Sequence, residues 1–495
     1  MPTDNFRYAG FPSALVFEKA DAKSKVLKQL LWGDWVQVTG SAQGNLLPVQ
    51  ARGCKGFMTT ASVQKERLLE FVFVDIGQGD GCLMITPDDK MFVIDAGAGD
   101  NMLRFLRWRF RAFKKRLDFE AAILSHSDLD HYGGFEDLFQ EPNLFFRNVY
   151  TNGFMERKAA SDTDILGPRV AHNGANFITA LVPDLASLNT FLSTSSNFSG
   201  KKYPTMLKKA LDASKFTDFK MLSVNDGFVP GFGPGQNDVE LELLGPVPEN
   251  VNGTTGLRWF GDVGKTKNGH SVVVRVRYKN LTVFAGGDLN IASEGLLLKH
   301  HAGAASLPKT EADRQALVAA ARPKLTADFA KACHHGSGDV SPAFMSAVNP
   351  LGTIISSGDD EAFSHPRADT LGVLGRASRG ERPGIFCTEL ARSAPERIKH
   401  PRLLQAELDE LVATLKKGLT PAKEKKVNAS IANLKKNLER SIAVFGAINL
   451  RTDGNRAVVA FKIEKPRNAK SQWDIYKFDR GTAAGELTFV SKQDD

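Results

Sequence analysis

One segment of nine residues constrains this chain more than any other, His126-Ser-Asp-Leu-Asp-His-Tyr-Gly-Gly134. Four side chains that can bind a metal ion lie within six residues, and two glycines follow them. The apolar residues just before it, 121–125, have the length and composition of a short buried strand. A loop leaving such a strand can direct several side chains to one point, and imidazoles with carboxylates there suit Zn, Mn or Fe. The segment therefore predicts a metal site at a strand end.

Two hairpins are predicted around this segment. Residues 82–95 alternate apolar and polar positions about the turn 87–90, which is typical of a β-hairpin. Its flanking carboxylates, Asp80 and Asp95, lie near strand ends, where they either support the metal loop by hydrogen bonding or cap turns. A second hairpin is predicted from the apolar runs 271–278 and 281–285.

Later in the chain, polar side chains follow predicted strands in the same way. Gly286-Gly-Asp288 ends the second hairpin, and its glycines permit a close backbone approach that turns Asp288 towards the site. The neighbours His334 and His335 follow an apolar run, and His365 follows the strand predicted at 352–357. Adjacent histidines at a loop start favour a functional role, with one binding metal or phosphate. The sequence does not distinguish which of the two does so.

These motifs, in this order, resemble those of the metallo-β-lactamase superfamily. The HxDxDHxGG form of residues 126–134 looks most like the hydrolase domain of bacterial DNA-uptake (ComEC-type) competence proteins. The resemblance implies an α/β (α+β) fold of the αββα sandwich type, with two sheets between helices. The other segments that carry the resemblance are Val74–Asp80, Ile94–Gly97, Asn268–Ser271, Gly286–Asp288, His334–Ser337 and Ser364–Pro366.

The resemblance also implies a set of site residues, with Asp288 expected to bridge two ions. Asn268 or His270 takes the place where the superfamily usually has a further histidine ligand. The expected metal ligands are His126, Asp128, Asp130, His131, Asp288 and His365. The expected catalytic residues are Asp130, His334, His335 and His365, and the expected supporting residues are Asp80, Asp95, Asn268 and His270.

The expected cofactor is one or two divalent ions per chain, Zn or Mn, with Mg or Fe as alternatives. Asp128 stands where the superfamily usually has histidine, and oxygen ligands shift the preference towards harder ions. The expected activity is hydrolysis of a phosphodiester, as in a nuclease. The alternatives are a small-molecule metallo-hydrolase acting on a cyclic nucleotide, lactone or thioester, and a non-catalytic binding module.

Four parts are predicted along the 495 residues. Residues 1–68 resemble a small bacterial Src-homology-3-like β-barrel, through Gly33-Asp-Trp-Val-Gln-Val38, with short strands predicted at 14–17, 35–38 and 56–58. Residues 69–397 form the hydrolase domain. Residues 442–495 contribute strands that complete it, predicted over 443–450 and 457–463, with an edge strand over 473–478. Between them, residues 398–441 show leucine spacing of an inserted antiparallel helical hairpin. The barrel or the hairpin would serve as the contact for a protein partner.

Composition fits a globular enzyme without a membrane span. No apolar run approaches the roughly 18 residues of a transmembrane helix, and no signal peptide is evident, so a cytoplasmic location is expected. The formal charge of +8 permits a polyanionic substrate. A predicted basic and aromatic helix over 104–116 either binds nucleic acid, through Arg107, Arg111 and Lys115, or simply exposes its arginines to solvent.

Overall fold

The computed structural model describes residues 5–110, 113, 115–358, 363–382, 384–388, 401–439, 442–482 and 485–492. For 401–405, 435–439 and 442 it describes the backbone alone. None of the helices in these ranges combines the length and the apolarity needed to cross a bilayer.

The N-terminal part is a seven-stranded antiparallel sheet of its own. Its core contains Ala9, Val16, Leu30, Val36 and Met58, which come from five different strands, so the sheet curves around them. The strands predicted at 14–17, 35–38 and 56–58 are confirmed. The seven strands are Phe6–Ala9, Ser13–Phe17, Val26–Leu31, Trp35–Val38, Leu46–Ala51, Cys54–Thr59 and Val63–Gln64.

Two larger sheets form the centre of the remaining chain, and their facing sides enclose one apolar core. Both predicted hairpins are confirmed within them. In order across the first sheet, the strands are Phe216–Met221, Leu144–Thr151, Leu117–Ile123, Met91–Ala96, Gly81–Ile85, Leu69–Phe73, Ile448–Thr452, Arg456–Lys462, Trp473–Asp479 and Thr488–Lys492. Across the second they are Val239–Gly245, Val273–Tyr278, Leu281–Ala285, Phe329–Lys331, Gly352–Ile355 and Gly384–Cys387.

Helices cover the outer faces of both sheets, which gives the layer order helix, sheet, sheet, helix. Central strands are therefore buried on both sides, as in Leu69–Phe73 and Gly352–Ile355. On the first sheet the helices are Asn101–Phe110, Leu129–Gln140, Leu185–Leu192 and Lys202–Asp212. On the second they are Ile291–His301, Glu311–Leu325, Pro342–Val348 and Ala368–Ala377.

A smaller sheet and four further α-helices are also described. Its strands are Arg169–His172, Ala175–Ile178, Thr254–Arg258 and Glu249–Val251. The helices are Val263–Gly269, Pro401–Leu415, Pro421–Glu439 and Ile442–Phe445. Pro401–Leu415 and Pro421–Glu439 contact each other where the helical hairpin is predicted, while 398–400 and 440–441 lie outside the described residues. The boundaries of the four parts remain predictions.

The C-terminal strands join the first sheet, because Ile448–Thr452 pairs with Leu69–Phe73. Two details differ from the sequence expectation. The predicted strand over 443–450 begins with a helical turn, since Ala443 and Val444 pack into the core as part of Ile442–Phe445. The strand at 473–478 was expected at the sheet edge, but Thr488–Lys492 pairs with its outer side.

Five charged side chains, three of them buried and two partly buried, connect the N-terminal sheet to the first central sheet. Arg52 and Arg451 lie 2.7 Å and 3.0 Å from Asp34 Oδ1. Arg109 donates to both oxygens of Glu70, at 2.8 Å and 2.9 Å. Arg451 also lies 3.5 Å from Glu70. We call Asp34, Arg52, Glu70, Arg109 and Arg451 the junction cluster; each member contacts an opposite charge, which compensates its burial.

Candidate metal centre

The segment 126–134 passes from a strand end into a helix, and close backbone packing explains its two glycines. The strand Leu117–Ile123 is followed by a short loop, and the helix Leu129–Gln140 begins with Asp128 as its N-cap residue. A side chain at Gly133 would stand 2.6 Å from the carbonyl oxygen of Ala98. Only glycine permits the helix to lie this close to the loop after Met91–Ala96, so His131 on its first turn is held deep in the protein.

Three acceptor-capable atoms from distant parts of the chain converge at this point. His131 Nε2 lies 3.1 Å and His335 Nε2 lies 3.0 Å from the same oxygen, Asp288 Oδ2. The two imidazole nitrogens are 3.2 Å apart. We call these three residues the convergent triad. All are buried, with no side chain more than 3 % exposed.

The far side of each imidazole is held by other groups. His131 Nδ1 donates to Asp95 Oδ2 at 2.8 Å, and Asp95 is itself fixed by the Ser125 amide and hydroxyl at 2.7 Å and 2.6 Å. His335 Nδ1 lies 3.2 Å from both the Ser356 carbonyl oxygen and Asp80 Oδ1. The sequence left open whether Asp80 and Asp95 support the site or cap turns. Their geometry is that of carboxylates orienting imidazoles.

The backbone at the two adjacent histidines directs their side chains to different places. His334 and His335 both have left-handed conformations, with φ of 50° and 54°, which non-glycine residues rarely adopt outside functional sites. The His335 side chain is thereby buried in the triad. That of His334 remains 29 % exposed, with Nε2 4.0 Å from Asp288 Oδ2.

The donor set of the triad fits a divalent ion. With Nδ1 of His131 and of His335 turned to oxygen acceptors, each Nε2 carries a lone pair directed at the others and at Asp288. Three acceptors this close repel one another unless a cation or protons lie between them. Two imidazoles and a carboxylate are ligands that Zn, Mn and Fe accept. Asp130 Oδ2 lies 3.7 Å from His335 Nε2 and extends the same set.

The charges around the triad favour protonated imidazoles when no ion is bound. Burial opposes charge on all three groups, yet Asp288 and Asp95 raise the pKa of His131 well above its usual value. Asp288 and Asp80 likewise raise the pKa of His335, to about 9. The imidazoles hold the pKa of Asp288 well below its usual range despite burial. Metal binding would replace these protons.

A buried lysine that the sequence analysis missed stands beside the triad. Lys331 is 4 % exposed, forms an ion pair with Asp80, and lies 3.6 Å from Asp288 Oδ1. It also donates to the Gly287 carbonyl oxygen at 3.1 Å. The available signal was a lysine inside the apolar run 329–333, where a solvated side chain is not expected.

A second group of expected ligands lies next to the triad but is arranged differently. His126 Nε2 is 3.7 Å from Asp128 Oδ2. In the orientation that satisfies both ends of its amide, Asn268 donates to Asp128 Oδ2 at 2.8 Å and faces His126 Nε2 at 3.3 Å. Asp128 also forms an ion pair with Lys267. Lys267 and its second partner Glu156 were not singled out in the sequence.

Of the two remaining expected residues, His365 lies at the site and His270 does not. His365 lies beside the pair of histidines, with its ring 5.7 Å from that of His334. His270 is elsewhere, because it contacts the Arg258 carbonyl oxygen at 2.7 Å and stacks on Phe260. Burial lowers its pKa to about 4.

The expected nucleic-acid residues belong to a different surface. Arg107 is half exposed and pairs with Glu141 at 2.7 Å, while Lys115 is exposed. Arg111 lies outside the described residues. The described part of the helix is Asn101–Phe110, and its Arg109 belongs to the junction cluster.

An open cavity of about 430 Å³ leads to the triad. Exposed apolar side chains, Leu129 and Phe363, stand at its margin, at 47 % and 55 % exposure. The Phe363 ring stacks on His365 at 5.9 Å. The lining consists of Gln78, Ala98, Asp128, Leu129, Asp130, Asn268, Asp288, His334, His335, Phe363 and His365.

Comparison with known proteins identifies part of the chain. Residues 82–146 match the family model described as the metallo-beta-lactamase superfamily. This stretch contains the hairpin, the helix Asn101–Phe110 and the segment 126–134. None of the curated proteins matches the chain.

Three solved structures are similar at low identity. A mutant of CmlA beta-hydroxylase is 9 % identical, with 66 % of this chain covered and a TM-score of 0.31; the chain spans 54 % of its length. The metallo-beta-lactamase SMB-1 bound to 2-mercaptoethanesulfonate is 14 % identical, with 53 % of this chain and 79 % of that chain covered and a TM-score of 0.23. MEM-A1, a subclass B3 metallo-beta-lactamase from a soil metagenome library, is 12 % identical, with the same coverage and TM-score.

The fold class predicted from the sequence, an α/β sandwich of this superfamily, is confirmed. Four buried groups, Asp80, His131, Asp288 and His335, have ligand atoms within 4.8 Å of one another. The fold and this cluster together indicate a metal-dependent hydrolase.

Proposed function

From the metallo-β-lactamase superfamily domain that this chain carries, we propose that the protein is a metal-dependent phosphodiesterase that acts on nucleic acid. The observation that carries the proposal is the convergence of His131, His335 and Asp288 at an open cavity. The resemblance of the motifs to ComEC-type hydrolases supports the substrate class, and so does the net positive charge of the chain. Zn or Mn is the proposed ion, and the N-terminal sheet is proposed to be Src-homology-3-like.

The triad and Asp130 would hold the ion. A divalent ion in such a donor set acts as a Lewis acid on a phosphoryl oxygen and promotes ionisation of water near neutral pH. Asp95 and Asp80 keep the two imidazoles turned so that each Nε2 faces the cavity floor. Lys331 offsets part of the carboxylate charge without occupying the cavity.

Other side chains at the cavity would transfer protons and orient the substrate. Asp130 is partly exposed, and the Gln78 amide donates to it at 3.4 Å, so it can accept a proton from an attacking water. His334 and His365 lie side by side at the cavity, where one can contact a phosphate oxygen and the other donate a proton to the leaving group. Leu129 and Phe363 provide apolar surface for the group attached to the phosphate.

The decisive experiment compares substrates and one variant. Purified protein with Mn²⁺, Zn²⁺ or Mg²⁺ is assayed on DNA, RNA, a chromogenic phosphodiester, a lactone and a thioester. We expect phosphodiester hydrolysis that Asp288→Ala lowers by more than about 100-fold, since loss of even an outer partner of a metal ligand costs 10- to 100-fold. Asp212→Ala, at an exposed carboxylate, is the control. Turnover confined to the lactone or thioester would overturn the phosphodiesterase proposal.

The nucleic-acid part of the proposal has its own test. Arg107 and Lys115 are replaced together by Glu, and binding to long DNA and RNA is measured at several salt concentrations. Each lost phosphate contact should reduce the slope of log K against log salt by about one, while hydrolysis of the small chromogenic substrate stays unchanged. Arg314→Glu, at an exposed pair with Glu311, is the control. Unchanged nucleic-acid binding would exclude this surface.

A further inference from the structure

The expected metal ligands form two groups, the convergent triad and the residues around Asp128. The ammonium group of Lys267 contacts the second group. Lys267 comes from the last turn of the helix Val263–Gly269 and is 9 % exposed. Its Nζ contacts Asp128 Oδ1 and lies 2.9 Å from Glu156 Oε1. The lysine therefore neutralises a carboxylate that would otherwise be available to an ion. We call His126, Asp128 and Asn268 the Asp128 half.

The second oxygen of Asp128 is also satisfied by the protein. The Asn268 amide nitrogen donates to Asp128 Oδ2 at 2.8 Å and to the Gly264 carbonyl oxygen at 3.0 Å. The Gly264 contact fixes the orientation, because a reversed amide would place two carbonyl oxygens against each other. Asn268 therefore presents a donor, and not a ligand oxygen, to this half.

The imidazole of His126 is held on one side only. Ser125 donates its hydroxyl hydrogen to Asp95, so its oxygen accepts from His126 Nδ1 at 3.0 Å. The remaining nitrogen, Nε2, lies 3.3 Å from the Asn268 amide nitrogen, whose two hydrogens go to the nearer oxygens of Asp128 and Gly264. Both oxygens of Asp128 thus face a protein donor.

The convergent triad lacks this property. Its three inward atoms are all acceptors when Nδ1 of each imidazole is protonated, and they lie 3.0–3.2 Å apart. Two cations close together repel strongly where water is excluded. The ammonium in direct contact with Asp128 thus disfavours an ion there. At the triad, Lys331 lies 3.6 Å from the outer oxygen of Asp288, Oδ1, and the inward oxygen Oδ2 faces the two imidazoles.

We infer that the centre binds one divalent ion, at the convergent triad, and that Lys267 stands in for a second ion by neutralising Asp128. This inference rests on the proposed metal-dependent function and deepens it. Lys267 is a positioning residue, since it contacts Asp128 and Glu156 and not the triad.

The test is the number of ions bound per chain, measured by equilibrium dialysis and elemental analysis at saturating Mn²⁺ or Zn²⁺. Wild-type protein should bind one ion. Lys267→Met and Lys267→Gln should bind two, because Asp128 loses its counter-charge. Lys267→Arg keeps the charge and should bind one. Lys265→Met, an exposed lysine on the same helix, should also bind one. Circular dichroism and thermal unfolding establish which variants are folded.

The outcomes separate this inference from the proposed function. Two tightly bound ions in the wild type, or one ion in a folded Lys267→Met or Lys267→Gln protein, would overturn the inference and leave the metal-dependent hydrolase intact. A wild-type protein that binds no ion at all would overturn both. One ion in the wild type and two in every folded neutral variant would support both.

Discussion

The protein buries two groups of charged side chains, and they are built on opposite principles. The junction cluster pairs three arginines with two carboxylates, and each carboxylate contacts two guanidinium groups. The metal centre gathers Asp80, Asp95, Asp128, Asp130, Asp288 and Glu156 around two lysines. The first is closed among strands, whereas the second opens to a cavity.

The difference shows how to distinguish structural from functional burial of charge. A buried network in which every charged group contacts an opposite charge is complete without a ligand. A cluster with surplus carboxylates and convergent acceptors is incomplete without a cation, and it is placed where a cation and a substrate can enter. Perturbed ionisation occurs in both clusters, so it does not separate them; the charge balance and the cavity do.

The largest effect is expected from breaking the junction cluster. Arg451→Met leaves Asp34 and Glu70 each short of a counter-charge in a buried place, and removing one partner of a buried pair costs about 3–5 kcal/mol. Chemical denaturation followed by Trp fluorescence measures the loss. Arg314→Ala, at an exposed pair, should cost less than about 1 kcal/mol. If the cluster is purely structural, the folded variant keeps its affinity for metal.

A smaller and complementary effect is expected at the metal centre. Asp95→Asn weakens the acceptor that orients His131 while retaining a residue type that tolerates the left-handed backbone found here, φ 53°. Metal affinity should fall 10- to 100-fold, the usual effect of altering such a partner. Asp34→Asn should destabilise the fold and leave metal affinity unchanged. A loss of metal affinity in Asp34→Asn would contradict the division between the clusters.

The smallest effect is expected from acid pH, which should affect the junction cluster and the metal centre at different pH values. Burial opposes charge on Asp34, yet Arg52 and Arg451 hold its pKa below the usual range, and Arg109 and Arg451 do the same for Glu70. A depressed folded-state pKa contributes stability that is present above the unfolded value, about 4, and is lost as the pH falls below it.

Metal should leave at a higher pH, because neutral imidazole is required and free histidine protonates near 6.5. An acid titration that follows both Trp fluorescence and bound metal should therefore show metal release first. Simultaneous loss of both signals would mean that the junction depends on the ion.

Much of the fold was accessible from local patterns. The hairpins at 82–95 and 271–285 were predicted because alternation and turn residues are local properties. The same reasoning failed at 443–445, since a short apolar run fits a helical turn and a strand equally well. The edge position of 473–479 was wrong because strand order depends on a later segment, Thr488–Lys492.

The candidate site was predictable to the level of residue types. The spacing of His126, Asp128, Asp130 and His131 indicated metal chemistry, and Asp288 and the paired histidines were found at strand ends. The choice between His334 and His335 depends on two left-handed backbone conformations, which no local pattern in the sequence indicates. The ion pairs of Lys267 with Asp128 and with Glu156 bring together three segments that are separate in the sequence.

The sequence by itself determined the superfamily-like motifs, the hairpins that deliver them and the chemical type of the ligands, because each is encoded by neighbours along the chain. Tertiary structure alone decided which nitrogen atoms face one another, which carboxylates orient them and which lysines offset their charge. Many of those contacts join residues more than 100 positions apart, as in the pairs of Asp80 with Lys331 and of Asp128 with Lys267. Their energies depend on distance and burial, which exist only once the sheets have packed.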